Sequence, residues 1–323
     1  MEDHSSTPLI SVAICTYNRS NRLIKALDAL CNQSLPQEQF EILVIDNAST
    51  DNTKEVCRQY QKALPNLQYT YEPVQGLSKA RNTALKASRG EYISYLDDDA
   101  IPCSSWLGSI LNTFLTISPK PIGVGGPLYP LWEVGPPDWM QTEMAFLFSI
   151  LDEGGQSHWF KSPSFPYGGN VSYQCEALKT AQGFQESLGR KGASLLSCEE
   201  YLLNRTLCRQ GGRFYYNAQA SVQHWISQER TSTEWVNRRS HWQGRSEAVV
   251  DQLVGKSRKR QWWDSVAKFL QPQRLQRLLS SNLKERVASR VWVNRCWGYF
   301  FHVWFCYAQS LEIVDQVQPT DMS

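Results

Sequence analysis

The chain has 323 residues, of which 41% are hydrophobic and 20% charged, with a formal charge of +2. That length holds one large α/β domain with an appendage, or two modest domains, and either has room for a sizeable core. The composition is that of a globular protein, and the near-neutral balance gives no reason to expect nucleic acid as a partner.

The nine cysteines are scattered, with no CxxC and no zinc-ligand rhythm, which reads as reduced thiols of the cytosol. The N-terminus, MEDHSSTPLISV, lacks a basic region followed by a long apolar core, and no apolar run reaches the roughly 18 residues of a spanning helix. A cytoplasmic protein is expected. Twelve tryptophans fall from Trp106 onward and crowd the C-terminal third, so the two ends of the chain are expected to have different surroundings.

In chain order, Leu9 to Thr16 is an apolar, β-branched strand followed by a Tyr17-Asn18-Arg19 loop. An amphipathic helix follows from about Asn21 to Cys31, with Leu23, Ile24, Leu27 and Leu30 on one face. Phe40 to Ile45 is the next strand; its polar exit loop starts at Asp46, and Ser49 or Asp51 can cap the next helix. Leu67 to Tyr71 is a third strand, Ser78 to Ala87 a helix, and Glu91 to Leu96 a fourth strand. This alternation predicts right-handed βαβ units and a mainly parallel sheet with helices on both faces.

The fourth strand runs straight into Asp97-Asp98-Asp99. Ligands of open α/β sheets bind outside the carboxyl ends of the strands, and clustered carboxylates repel unless a cation or hydrogen bonds neutralise them. Asp97 and Asp99 are therefore candidate ligands for a hard divalent ion, against the plainer reading of a solvated acidic turn. The other strands end in residues suited to a nucleotide. Tyr17, after Thr16, can pack on a base, Asp46 can accept from a base or ribose, and Arg81 can pair with a phosphate. Each also has a structural reading, as core, cap or solvated charge. A dinucleotide-type Rossmann site is disfavoured by the absence of GxGxxG after the first strand.

The segments SVAICTYNRS, EILVIDNASTDNT, GLSKARNTAL, GEYISYLDDDA, GGN, GF, CEEYL and VQH together resemble the inverting family 2 glycosyltransferases, over roughly residues 9 to 245. The order of the segments is also similar to that of cyanobacterial polysaccharide-assembly members. The resemblance implies a GT-A-like Rossmann-type sandwich with a C-terminal helical extension, residues 1–225 forming the catalytic domain and 226–323 the extension. It implies that Thr16, Tyr17, Asp46, Arg81, Asp97 and Asp98 serve a nucleotide sugar, UDP-sugar favoured, and that Asp97 and Asp99 form a DxD motif holding Mn2+ or Mg2+.

Farther on, Tyr167-Gly168-Gly169-Asn170 can bring backbone close to a sugar, with Gly169 giving the space and Asn170 a donor and an acceptor. Displacement at an anomeric carbon needs a base for the acceptor hydroxyl. The resemblance gives that role to an aspartate, where this chain has Glu200, so the base is Glu200 or its neighbour Glu199. His224 ends a strand and is either a third metal ligand, as the resemblance implies, or an ordinary hydrogen-bonded histidine.

After Trp225 the chain turns basic, aromatic and helical, with Trp235, Arg238, Arg239, His241, Trp242 and Arg245 on one helix expected to close over donor phosphates. Lys256 to Arg260 is a basic run, and Val291 to Ala308 a broken aromatic segment that suits a packing helix, a homodimer face or an in-plane membrane helix. Processive family members carry QxxRW and several spans, whereas this chain has Gln243-Gly244-Arg245-Ser246. The reading is a cytosolic-face glycosyltransferase, at the inner side of the plasma membrane, moving one sugar to a glycan or lipid-linked acceptor. Its rivals are a catalytically inactive scaffold of the same fold and, more weakly, a nucleotidyltransferase.

Overall fold

The computed structural model describes residues 7–306. Residues 1–6, on which part of the N-terminal reading rests, and Tyr307 and Ala308 of the aromatic segment lie outside the described residues. Two compact units divide the described residues: the first runs to Leu131 and adds Ser149–Phe184 and Glu200–Ile226, and the second takes Trp132–Phe148, Gln185–Glu199 and the described residues from Ser227.

The first unit opens with β1 (Ile10–Thr16), α1 (Ser20–Cys31), β2 (Phe40–Asp46), α2 (Thr53–Tyr60), β3 (Leu67–Tyr71), α3 (Leu77–Ala87) and β4 (Tyr92–Asp97). Then come β5 (Ala100–Pro102), α4 (Trp106–Thr116), β6 (Gly123–Gly125), β7 (Leu128–Trp132), β8 (His158–Trp159), β9 (Asn170–Gln174) and α5 (Cys175–Thr180). It closes with α6 (Glu199–Arg209), which it holds from Glu200 onward, β10 (Phe214–Tyr216) and β11 (Val222–Ile226). The large sheet has the order β3-β2-β1-β4-β9-β6-β10-β8, and a small one has β5-β11-β7.

β1 and β2 read as nearly unbroken apolar runs because helices cover both of their faces. Ile10, Val12 and Ile14 pack with α1 and α4 in one core cluster, and Ala13, Leu43 and Ile45 pack with α3, α5 and α6 in another. β1 lies between β2 and β4, so the strand order reverses there, and it is outside the carboxyl ends of strands at such a point that open α/β sheets bind ligands. In register, Thr16 stands beside Asp46, and Cys15 beside Asp97.

Two expectations change. The helix after β2 has Asn52 at its N-cap without a side-chain bond, and Asp51 instead accepts from the Thr53 amide at 3.1 Å and from the Ser20 amide at 2.9 Å, opening α1. The reading also missed β9, whose first residue it took as part of a sugar-binding turn. β9 runs antiparallel between β4 and β6, with Asn170 opposite Leu96.

The second unit holds α7 (Thr233–Leu253), α8 (Arg258–Ala267), α9 (Pro272–Gln276) and α10 (Leu283–Phe301). The Ser232 hydroxyl caps α7 by accepting from the Trp235 amide at 3.2 Å. One face of α10, with Val291, Trp292, Cys296 and Tyr299, is buried, so the aromatic segment is in part a packing helix. α7 and α10 approach backbone to backbone: a Cβ on Gly298 would lie 1.8 Å from the His241 carbonyl oxygen, and one on Gly244 1.8 Å from that of Arg295. No helix among the described residues is long and apolar enough to cross a membrane.

Gly298→Ala should therefore push the pair apart and destabilise the second unit by about 1–3 kcal/mol or more, the usual cost of overpacking. Thermal unfolding followed by circular dichroism checks this, and an unchanged melting point contradicts the close approach.

Candidate active site

The loop after β4 is short, so Asp97, Asp98 and Asp99 are crowded between β4 and β5. They point to different partners. Thr16, ending β1, donates its hydroxyl to Asp98 Oδ2 at 2.8 Å, and Arg19 Nη1 reaches Asp98 Oδ1 at 3.0 Å and Asp99 Oδ2 at 3.1 Å. Burial pushes the Asp98 carboxyl up to about 6, against the opposing pull of Arg19, and Asp98 in turn holds Arg19 more firmly protonated. Asp98, expected on the nucleotide sugar, thus faces inward and anchors the loop.

Asp99 is reached from the other side by His224, whose Nε2 lies 3.4 Å from Asp99 Oδ1, both side chains being 6% exposed. Strand pairing brings them together: β11 runs antiparallel to β5 with His224 opposite Ala100, and the Trp225 amide donates to the Asp99 carbonyl at 2.9 Å. Asp97 is more open, with 34% of its side chain exposed, and Arg81 Nη2 stands 3.6 Å from its Oδ1.

One ligand atom each from Asp97, Asp99 and His224 lie within 4.8 Å of one another. Two carboxylate oxygens and one imidazole nitrogen on that scale suit a divalent ion such as Mn2+, with further positions open to phosphate oxygens and water. Arg19 and Arg81 offset only part of the negative charge of three aspartates, so the donor set and its charge both fit a cation.

Arg81 was expected to meet a phosphate. It is 4% exposed, donates to the Gly168 carbonyl at 3.3 Å, and packs 5.3 Å from the Phe184 ring. The Tyr167-Gly168-Gly169 loop can lie across it only because the glycines lack side chains. A Cβ on Gly168 would stand 2.5 Å from Arg81 Nη2, and one on Gly169 2.8 Å from Asp97 Oδ2. Gly169 therefore lines the open face of Asp97.

Asn170 behaves otherwise than expected. It is fully buried, accepts from Trp106 Nε1 at 2.9 Å, and donates to the carbonyls of Pro127 at 3.1 Å and Ala220 at 2.8 Å, so its amide is spent inside the fold. Asp46 is also buried, accepting from the Ser49 amide at 2.8 Å and the Tyr69 hydroxyl at 2.7 Å. Tyr17, 43% exposed at the same sheet edge, is open for a planar base to pack on.

Glu199 and Glu200 open α6. Glu199 is 4% exposed, whereas Glu200 is half-buried and close enough to Tyr167 to raise its phenol, after burial as the larger cause. Of the adjacent pair Glu200 is the less buried, with its Oε2 still enclosed by the protein.

Sequence reasoning passed over Arg19 as a loop residue. Its only signal was a cation three residues beyond a strand end, in a chain with three acids at the end of another strand, and only the adjacency of β1 and β4 joins the two.

Residues 11–180, more than half of the chain, match the sequence profile of glycosyl transferase family 2. The chain is similar to a glucosyl-dolichyl phosphate glucuronosyltransferase of Haloferax volcanii, 26% identical over 247 residues that cover 76% of this chain and 78% of the relative. It is 40% identical over 110 residues to glycosyltransferase AglE of the same organism, covering 34% of this chain and only 36% of that one. Its fold is similar to that of a mannosyltransferase of Pyrobaculum calidifontis solved in complex with GDP-Man and Mn2+, with a TM-score of 0.62 at 18% identity, covering 92% of this chain and 87% of that one. The chain belongs to glycosyl transferase family 2 and is a glycosyltransferase with the GT-A fold.

Proposed function

We propose that the protein is a metal-dependent inverting glycosyltransferase that moves a single sugar from a nucleoside diphosphate sugar, UDP-sugar favoured, to a glycan or lipid-linked acceptor in polysaccharide biosynthesis. The observation that carries this reading is the convergence of Asp97, Asp99 and His224 at the carboxyl edge of the sheet, in the same unit as Tyr17 and Glu200. Tyr17 packs on the base, and Gly169 leaves room beside Asp97 for the diphosphate sugar. Asp97, Asp99 and His224 would hold a divalent ion, which when bound would supply positive charge to offset that of the leaving diphosphate. The acceptor oxygen attacks the anomeric carbon from the face opposite the diphosphate, the bond to the diphosphate breaks, and the hydroxyl proton passes to the Glu200 carboxylate. A catalytically inactive scaffold is not favoured by the family assignment.

Two experiments test the site. Asp99→Asn should weaken Mn2+-dependent binding of nucleoside diphosphate, measured by calorimetry. The loss should be at least the about tenfold to hundredfold seen when a residue merely supporting a ligand is removed. Unchanged affinity would count decisively against the site. Glu200→Gln should bind donor normally yet transfer sugar slower by on the order of a hundred- to ten-thousand-fold, with Glu199→Gln the milder change. Reversal of that order moves the base to Glu199.

The same proposal places the enzyme at an anionic membrane surface through its second unit. Lys256 to Arg295 holds eleven Lys and Arg against Asp264 and Glu285 alone. Lys256 itself is spent on Asp251 and Asp264, whereas Arg258, Lys259 and Arg260 are exposed along α8. Trp297, Phe300 and Trp304 stack with ring centroids 5.3 and 4.8 Å apart, while Trp263, Leu279 and Phe305 are exposed. Basic residues near such a surface contribute about 1 kcal/mol each, and tryptophans favour the interface. Co-sedimentation with phosphatidylserine vesicles should show binding that salt weakens and that Trp263→Ala with Trp304→Ala reduces; no binding at low salt removes this part of the proposal.

A further inference from the structure

Beside α6 in the first unit lies a cavity of about 540 Å3 that the reaction above does not use. Tyr201, Arg205 and Arg209 line it at helical spacing, one turn apart on a single face of α6, and Arg213 joins them just before β10. Opposite are Phe165, packed edge-on to Tyr201 with centroids 5.7 Å apart, and Phe214.

No carboxylate lines this cavity. Among the described residues no ion pair engages Arg205, Arg209 or Arg213, although Arg213 lies 4.1 Å over the Trp159 ring. Like charges four residues apart on a helix oppose each other. The dipole of α6 accounts for a cation in the last turn, at Arg209, but not for Arg205 or Arg213. Three guanidiniums lining one cavity together with the rings of Phe165, Tyr201 and Phe214 instead suit a sugar that bears a carboxylate or phosphate.

The cavity runs along α6 away from the end that carries Glu200. Tyr201 directly follows Glu200, and at 1.5 Å per residue Arg205 and Arg209 stand about 8 and 14 Å farther along the axis. We infer that this groove is the acceptor's anion subsite, holding a carboxylate or phosphate group of a saccharide beyond the sugar whose hydroxyl meets Glu200. The inference rests on Glu200 as the base of the proposed reaction, but its test does not need the donor.

Calorimetry in the absence of nucleotide, with trigalacturonate, a glycerol phosphate trimer and neutral maltotriose, tests it. At least one anionic probe should bind about tenfold or more tightly than maltotriose, with salt weakening it, and which one binds separates a carboxylate from a phosphate source. Arg205→Gln with Arg213→Gln should lower that affinity about tenfold or more, and Arg205→Lys, which keeps charge but loses the fork, should fall between. Stabilisation of the double variant by UDP with Mn2+, as in wild type, shows that it is folded with an intact donor site. Failure of both anionic probes to bind, binding of maltotriose as tightly, or full affinity in the double variant overturns the inference. Failure of UDP with Mn2+ to bind wild type would instead overturn the donor reading and leave the groove result standing.

Discussion

Mutual repulsion among three consecutive carboxylates is the constraint around which the first unit is arranged. Asp97, Asp98 and Asp99 follow a buried strand directly and cannot all be left to solvent. The fold separates their roles: Asp98 is turned onto Thr16 and Arg19, Asp99 is shared between Arg19 and His224, and Asp97 stays open beside Arg81. One acid is thereby made structural so that its two neighbours can face one point. A cation at that point would lower the energy of an arrangement in which three acids face two arginines.

Apart from Arg81, on the helix just before β4, the partners in that arrangement come from distant parts of the chain and arrive through sheet geometry. β1 delivers Thr16 and starts the loop carrying Arg19, because it lies beside β4 in parallel register. β11 delivers His224 because it pairs with β5, the short strand that continues from the aspartates. The glycine pair at positions 168 and 169 passes across Arg81 and Asp97 where no side chain fits. Asn170 then turns the chain into β9 and spends its amide on Trp106 and two carbonyls, which holds the loop in place from beneath. The loops after β1 and β2 are tied as well: the Asn18 amide donates to the Ser49 hydroxyl oxygen at 2.9 Å, and Asn18 Oδ1 accepts from the Thr50 amide at 2.7 Å. Rigid support of this kind holds catalytic groups where the chemistry needs them.

The second unit answers to a different balance. The glycine contact between α7 and α10 brings two helix backbones together, and the buried face of α10 is consumed by it. What remains outward is an aromatic stack in a segment rich in arginine and lysine. Tryptophan and arginine both combine a broad apolar body with a polar or charged group, which is why the same segment reads as neither a spanning helix nor an ordinary solvated surface.

The alternation of strand and helix through the first hundred residues, and the acids at the end of β4, were legible in the sequence. Hydrophobic period and turn residues are local properties, and each strand lay within a residue or two of its expected place. Asp97, Asp99 and His224 could be named together as candidates from their residue types and the family resemblance, and the fold brings one atom of each within 4.8 Å of the others. The roles of Asp98, Asp46, Asn170 and Arg19 were not legible. Whether a polar side chain faces a ligand or is spent on the fold depends on which partners lie within about 3 Å, and apart from Ser49 beside Asp46 those partners are 23 to 82 residues away along the chain. Sequence determined which residues stand at strand ends; strand pairing across the sheet alone decided which of them meet, since register is set by packing between segments rather than within them.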